Sequence, residues 1–340
     1  MTQLEYNLSL KKELRFKNGK FRVLAFSDLH GKCNFDRRII RDIAALLDKH
    51  NPDLILLVGD IVWDDGAQSP ETLKAYLSEV MGEAESRRIP WAHVFGNHDA
   101  EKGYAVKDQQ TVYESFEYCV AKRGPEDIHG TGNDVLPAKA ENGNDIVFCL
   151  WGLDSNRNMH QFLTDVGLED DYRQVMMPDP LHLSQTYDTI RFNQVMWYWN
   201  SSVELERYNG KKIPGMMFFH IPIPEFIIPY KNVAQTGYCG FRREQVGSSP
   251  INSGLFSAIL QRGDVKTVLC GHDHINDYEG TYCGIKMVYD AGMSYDVYCD
   301  DDMRGGRIVD ISEDDPWNVT TYMVRSADCV ADYPGEEMRK

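Results

Sequence analysis

The stretch that most constrains the fold of this chain is residues 21–31. A largely apolar, strand-like run over 21–26 ends abruptly in Asp28 and His30. In an extended chain, residues two positions apart point to the same face, so this acid and this imidazole can bind one cation together. The carboxyl end of a strand is also where open α/β sheets build their binding sites. The pattern therefore predicts an α/β fold with a metal site at one edge of a sheet.

The same pattern, an apolar run followed by polar residues of the metal-ligand type, returns at residues 54–60, 91–99 and 265–274. The ligand-type residues at the predicted strand ends are Asp28, His30, Asp60, Asn97, His220, His272 and His274. They offer carboxylate, imidazole and amide oxygen but no thiolate, a mixture that suits Mn, Fe, Zn, Ni or Co rather than a calcium cage. Seven ligands with one bridging carboxylate are enough for two divalent or trivalent metal ions. Such a pair can hold a bridging hydroxide for in-line attack on a phosphoryl group.

The order of elements in the first hundred residues indicates a parallel sheet. Apolar runs at 22–26, 54–58 and 89–95 predict strands, and helical periodicity predicts helices at 36–49 and 71–88. Strands that alternate with helices in this way form parallel βαβαβ units. His93 lies inside the third strand, and we predict that it is a core residue rather than a ligand.

The rest of the chain predicts a second sheet. Residues 1–20 suggest a short edge strand or hairpin, and residues 157–189 a long excursion over the surface. Further predicted elements are strands at 145–150, 213–219 and 265–269, helices at 111–123, 190–208 and 253–262, and antiparallel strands at 281–289, 306–311 and 319–324. There is no internal repeat and no low-complexity linker. We therefore predict that residues 1–340 form one domain built of two sheets.

The charge balance excludes some partners. The chain has 36 basic and 52 acidic residues and a net charge of −16, which argues against nucleic acid or an anionic membrane as the main partner. No apolar run reaches the roughly 18 residues of a membrane span, and no signal-peptide pattern opens the sequence. The eight cysteines contain no C-x-x-C pair, which argues against a thiolate zinc site and fits a reduced compartment. We predict a cytoplasmic protein, or a secreted one that has lost its signal.

Taken together, the strand-end motifs resemble those of a known family. Asp28-Leu29-His30, Gly59-Asp60, Gly96-Asn97-His98-Asp99, His220 and Gly271-His272-Asp273-His274 match, in order, the motif set of the calcineurin-like metallophosphoesterases. The resemblance covers residues 22–290. Within the superfamily, residues 218–225, 252–256 and 271–277 are most similar to the purple-acid-phosphatase-related branch.

This resemblance implies a fold, a reaction and a role for each residue. The fold would be a four-layer αββα sandwich of two mixed β-sheets flanked by helices, completed by C-terminal strands within 306–324. The implied ligands are Asp28, His30 and His274 for one metal ion, Asn97, His220 and His272 for the other, and Asp60 as the bridge between them. His98 would stabilise the phosphoryl group or protonate the leaving oxygen, and Asp99 would either orient His98 or cap the next segment. The substrate would be a phosphate ester.

Two departures from the family pattern reduce the number of activities expected of this chain. Purple acid phosphatases have a tyrosine ligand three residues after the bridging aspartate, where this chain has Trp63, so a purple colour and an obligatory ferric ion are not expected. Protein serine/threonine phosphatases have arginines beside the Gly-Asp and Gly-Asn-His motifs, where this chain has Ile61 and Phe95. A phosphomonoesterase is our first hypothesis. The alternatives are a phosphodiesterase, a protein phosphatase and a non-catalytic interaction scaffold. The complete ligand set favours an enzyme.

Overall fold

The computed structural model describes residues 2–63, 65–101, 104–168 and 187–339. The strands in this part of the chain are β1 (Leu14–Arg15), β2 (Lys20–Phe26), β3 (Leu54–Val58), β4 (Trp91–Val94), β5 (Asp134–Lys139), β6 (Ile146–Gly152), β7 (Gly215–Phe218), β8 (Val265–Cys270), β9 (Glu279–Tyr282), β10 (Ile285–Tyr289), β11 (Gly305–Ser312) and β12 (Thr320–Arg325). The helices are α1 (Gln3–Leu8), α2 (Arg38–His50), α3 (Pro70–Val80), α4 (Gly82–Ser86), α5 (Val106–Glu114), α6 (Met159–Asp165), α7 (Phe192–Asn209), α8 (Ile227–Lys231), α9 (Val233–Thr236) and α10 (Leu255–Arg262).

One sheet contains the predicted βαβαβ unit. Its strand order is β12-β11-β2-β3-β4, with β2, β3 and β4 parallel and β11 and β12 antiparallel to their neighbours. Every residue of β3 is buried, as expected for a continuous apolar run in a sheet covered on both faces. The helix α2 packs through Ile39, Ile43 and Leu46, which recur on one face at helical spacing. The predicted parallel βαβαβ unit is confirmed.

The other sheet has the order β1-β5-β6-β7-β8-β10-β9 and is also mixed. Side chains alternate between its faces. Met216 and Phe218 of β7 belong to the hydrophobic core shared with the first sheet, whereas Met217 belongs to a second core with α7 and α10. Two mixed sheets flanked by helices make the predicted αββα sandwich, which is confirmed. That residues 1–340 form one domain stays a prediction.

Several predicted boundaries are wrong. The helix predicted at 111–123 is α5, Val106–Glu114, where buried Gln109 and Gln110 interrupt the apolar periodicity. The strand β5 was not predicted from the sequence, because it contains Pro137. Proline cannot donate a hydrogen bond to the neighbouring strand, so its presence argues against a strand. The single strand predicted at 281–289 is the hairpin β9–β10, and the helix predicted at 71–88 is the pair α3 and α4.

Two further segments differ in part from the predictions. Residues 1–20 contain a helix, α1, as well as the short strand β1; a capping box between Thr2 and Glu5 starts that helix. Of the surface excursion predicted at 157–189, α6 is observed and residues 169–186 lie outside the described residues. Among the described helices, none combines the length and the apolar character needed to cross a membrane.

Candidate metal centre

All seven predicted metal ligands follow strands of the two sheets. In the first sheet, Asp28 and His30 follow β2, Asp60 follows β3 and Asn97 follows β4; in the second, His220 follows β7, and His272 and His274 follow β8. All seven side chains are buried. Parallel strands place their carboxyl ends at the same edge of a sheet, and the two sheets pack with these edges together. The metal site that the sequence placed at one edge of a sheet is therefore formed by strand ends from both sheets.

The first group of ligand-type residues is Asp28, His30 and His274. The carboxylate Oδ1 of Asp28 lies 3.7 Å from Nε2 of His30 and 3.3 Å from Nε2 of His274. The two imidazole Nε2 atoms are 3.0 Å apart. One carboxylate oxygen and two imidazole nitrogens thus converge on a space the size of a cation.

The second group is Asp60, His220 and His272. Nε2 of His220 lies 3.0 Å from Oδ2 of Asp60 and 3.3 Å from Nδ1 of His272. The same Oδ2 of Asp60 lies 3.7 Å from Nε2 of His30, which belongs to the first group. Asp60 therefore stands between the two groups, where a bridging carboxylate would have to lie.

Hydrogen bonds occupy the outer atoms of these side chains. Oδ2 of Asp28 accepts hydrogen bonds from the Ser27 hydroxyl at 2.5 Å and the His272 amide at 3.0 Å. Nδ1 of His220 donates to the Val58 carbonyl at 2.8 Å, which turns Nε2 towards the centre. Such outer contacts fix the orientation of a metal ligand and its tautomer.

The inner oxygens have no partner. Among the described residues, none forms a hydrogen bond with Oδ1 of Asp28, Oδ2 of Asp60 or Oδ1 of Asn97, although all three atoms are buried. Buried polar atoms are normally hydrogen-bonded, and an unpaired one calls for a water or an ion. Three such oxygens beside four imidazoles form a set of ligand atoms that fits cations well.

The backbone at the ligands is strained. Asp28, His30, Asp60 and His272 all have positive φ, between 48° and 78°. This left-handed conformation disfavours residues with a Cβ, and it persists where the surrounding structure enforces it, often at functional sites. Asp28 and His30 therefore converge because the chain turns sharply after β2, and not because an extended strand presents them on one face, as the sequence suggested.

The electrostatics of the centre favour bound positive charge. Burial alone would lower the pKa of His220, but the carboxylates of Asp60 and Asp28 outweigh it and raise the pKa to about 10. The pKa of His274 rises to about 9 because Asp28 outweighs burial in the same way. By contrast, burial lowers the pKa of His272 to about 3. The two carboxylates thus attract protons to the imidazoles, and metal ions would take the place of those protons.

His98 lies beside the candidate metal centre at a pocket of about 460 Å³. Its backbone N–H donates to Oδ1 of Asp60 at 2.8 Å, which ties its position to the bridging candidate. Its Nδ1 lies 2.8 Å from Oε2 of Glu101, and the side chain is 30% exposed. Within the described part of the chain, no hydrogen bond to Nε2 is seen, and this atom could act on a group in the pocket. The catalytic role of His98 stays a prediction.

The carboxylate of Asp99 does not orient His98. It accepts hydrogen bonds from the backbone N–H groups of Val62 at 2.8 Å and Gly96 at 2.7 Å, so it joins the loop after β3 to the loop after β4. Burial, followed by the charge of Asp60, raises the pKa of Asp99 to about 7. Neither contact caps the segment after Asp99, since both donors precede it in the chain.

Aromatic rings line the pocket next to the imidazoles. Trp63 meets His30 edge-on with centroids 5.8 Å apart, Tyr187 meets His272 at 4.3 Å, and Tyr298 stacks on His274 at 4.2 Å. The site also contains Tyr187, Tyr298, Glu101 and Lys32, which were not predicted from the sequence. Only Glu101 left a local signal, since it stands one helical turn after His98.

Comparison with known proteins agrees with this geometry. Residues 21–276 match the calcineurin-like phosphoesterase family, and the chain belongs to that family. It is 29% identical over 322 residues to probable inactive purple acid phosphatase 29 of Arabidopsis thaliana, covering 85% of this chain and 76% of the relative. It is 28% identical to phosphatase DCR2 of Saccharomyces cerevisiae, covering 76% of this chain and 45% of the relative. The predicted similarity to the purple-acid-phosphatase-related branch is confirmed.

The fold also resembles a solved structure. A dimetal phosphatase from Danio rerio superposes with a TM-score of 0.50 at 12% sequence identity, covering 90% of this chain and 99% of that one. At that identity the likeness concerns the fold alone. The names of the two sequence relatives, one "inactive" and the other "phosphatase", point in opposite directions for catalysis. An activity of this chain therefore has to be inferred from the residues of the site itself.

Proposed function

We propose that this protein hydrolyses phosphate monoesters with two bound divalent or trivalent metal ions. The observation that carries the proposal is the set of three buried, unpaired oxygens, on Asp28, Asp60 and Asn97, surrounded by imidazoles. The residues that would hold the metal ions are Asp28, His30 and His274 on one side, Asn97, His220 and His272 on the other, and Asp60 between them. When bound, such a metal pair supplies an activated water and neutralises charge on the phosphoryl oxygens.

The protein's own residues would complete the reaction. His98 lines the pocket, where its backbone N–H donates to Oδ1 of Asp60 and its Nδ1 lies within hydrogen-bond distance of the Glu101 carboxylate. In this position its imidazole can donate a proton to the departing alcohol oxygen. Asp99 keeps the loops after β3 and β4 together, which holds Asp60 and Asn97 in register.

The alternatives from the sequence analysis differ in what they require. A non-catalytic scaffold has no need for unpaired buried oxygens or for a histidine oriented by a carboxylate, so the site favours an enzyme. A phosphodiesterase would use the same ligands, and the pocket around them would decide between the two ester classes. The neighbours of the Gly-Asp and Gly-Asn-His motifs are apolar, and Ile61 and Phe95 are both buried, which disfavours the arginine clamp of the serine/threonine phosphatases.

The test uses protein of defined metal content. Stripped protein is reloaded separately with Mn, Fe, Zn, Ni and Co and assayed on a panel of phosphate monoesters and diesters. We expect metal-dependent hydrolysis of monoesters. Asp60→Asn should lower both bound metal and turnover, because it weakens the bridging ligand, while Asp314→Asn at the exposed surface changes neither. A parent protein that binds two metal ions and hydrolyses no ester would refute the proposed activity and favour the scaffold.

A further inference from the structure

The pocket beside the candidate metal centre contains one unusual charge. Among the described residues that line it, Lys32 is the one with a permanent positive charge. The lining carboxylate outside the ligand set, Asp296, is already paired with Nη2 of Arg339 at 2.6 Å. Lys32 itself forms no ion pair with any residue that the structure describes. An unpaired ammonium is notable in a chain whose acidic residues outnumber its basic ones by 52 to 36.

Trp63 holds this ammonium in place. Nζ of Lys32 lies over the Trp63 ring, 4.5 Å from its centroid, in cation–π geometry. The same ring meets His30 and His98 edge-on, with centroids 5.8 Å and 5.5 Å away. Trp63 therefore contacts the Lys32 ammonium on the one hand, and on the other both His30, a candidate metal ligand, and His98, the candidate general acid. Because the ring restrains the lysine before a ligand arrives, less side-chain entropy is lost on binding.

An ammonium in this position has a clear chemical use. It is a compact charge with three hydrogen-bond donors and pairs well with phosphoryl oxygen. Above pH 7 a phosphate monoester carries a charge close to −2, since its second pKa is about 6, whereas a diester carries −1. The ammonium attracts the monoester more strongly, because Coulomb energy scales with the charge.

We propose that Lys32, restrained by Trp63, contacts the phosphoryl group and makes the pocket prefer dianionic monoesters to monoanionic diesters. The inference rests on the proposed phosphoesterase function. It gives Lys32 the task that arginines beside the Gly-Asp and Gly-Asn-His motifs perform in the serine/threonine phosphatases. Lys32 is then a specificity-determining residue for this reaction.

The experiment compares Lys32→Met with Lys32→Arg, which keeps the charge, and with Lys74→Met, which removes an exposed lysine from α3. The substrates are 4-nitrophenyl phosphate and methyl 4-nitrophenyl phosphate, which have the same leaving group and differ by one charge. Binding of inorganic phosphate to the metal-loaded proteins is measured by calorimetry, and metal content by elemental analysis. The phosphate measurement is independent of turnover.

We expect Lys32→Met to lower the monoester-to-diester ratio of kcat/KM about five- to fiftyfold, in keeping with one charged hydrogen bond that is partly exposed to solvent. Phosphate affinity should fall by a similar factor, metal content should stay constant, and Lys32→Arg should retain most of both. An unchanged ratio with unchanged phosphate affinity, or a loss of metal, would overturn the proposal. If the parent hydrolyses neither ester, the proposed function fails, and weaker phosphate binding by Lys32→Met would still support the contact.

Discussion

The carboxylate Oε2 of Glu101 lies 2.8 Å from Nδ1 of His98. The two residues are separated by one turn of a short 3-10 helix, His98–Ala100, which starts directly after Asn97. A carboxylate on one imidazole nitrogen fixes the orientation and the tautomer of the ring. The residue that orients the candidate acid is therefore Glu101.

Replacing Glu101 tests this pairing. We expect Glu101→Ala to lower turnover of an alkyl phosphate about three- to tenfold. This is less than the roughly 10- to 100-fold loss typical of residues that orient a metal ligand, because the His98–Glu101 pair is partly exposed to solvent. Glu101→Gln retains an oxygen acceptor and should recover part of the loss. In a His98→Ala background the same substitution should have no further effect, since its action passes through the imidazole. Equal losses in both backgrounds would show that Glu101 acts elsewhere in the pocket.

His98→Ala should cost far more in turnover than in metal content. A positioned general acid contributes about 10²–10⁴-fold, and no metal-ligand role is assigned to His98. An alkyl phosphate needs a proton on its leaving oxygen and should lose most, whereas an aryl phosphate with a good leaving group should lose less. Turnover of both substrates and metal content are measured on the same preparation. Equal losses on both substrates would leave His98 an electrostatic role only, and loss of a metal ion would make it a ligand.

Much of the centre could be predicted because its signal is local. An apolar strand followed within two or three residues by Asp, His or Asn is visible in the sequence, and Asp28, Asp60 and Asn97 were found in that way. The structure brings these strand ends together and leaves one oxygen of each residue unpaired. The parallel arrangement of β2, β3 and β4 followed from the same alternation of strands and helices.

The rest depends on contacts between distant parts of the chain. Lys32 and Trp63 meet in space although 30 residues separate them, and nothing local in the sequence indicates this contact. Tyr187 contacts His272, which lies 85 positions later in the chain. The strand β5 contains Pro137 and is stabilised by pairing with β6, which no local propensity reveals. Tertiary packing decides such features, so a single sequence could not predict them.

Trp63 offers a spectroscopic test of the departure from purple acid phosphatases. The parent protein loaded with ferric iron should lack an intense visible band, because an indole is not a phenolate ligand. Trp63→Tyr places a phenol beside His30, where a smaller ring fits in the space of the larger one, and should gain such a band. Trp63→Phe is the control without a hydroxyl. A strong band in the parent would indicate another phenolate, and Tyr187→Phe would be the first variant to examine because Tyr187 contacts His272.

His93 provides a prediction about stability that is separate from the metal ligands. It lies in β4, stacks on Tyr113 with ring centroids 3.9 Å apart, and its Nε2 is 3.0 Å from Oε1 of Gln110. Burial lowers its pKa to about 3, below the ordinary value of 6.5, with the Gln110 contact opposing the shift. The side chain is thus neutral in the folded protein, as expected for the core histidine predicted from the sequence.

The sign of the pH dependence follows from this shift. Between pH 6.5 and about 3 the unfolded chain binds a proton at His93 that the folded protein does not, so acid favours unfolding. The contribution to stability is complete above pH 6.5 and falls by about 1.4 kcal/mol per pH unit below it. His93→Phe removes the titrating group, although it leaves the buried Gln110 oxygen without its partner and lowers stability at neutral pH by about 1–3 kcal/mol. In urea unfolding of metal-free protein between pH 5 and 7, the free energy of unfolding of the parent should therefore decline more steeply towards acid than that of the variant. Parallel curves for the two proteins would show that His93 is not held neutral by the core.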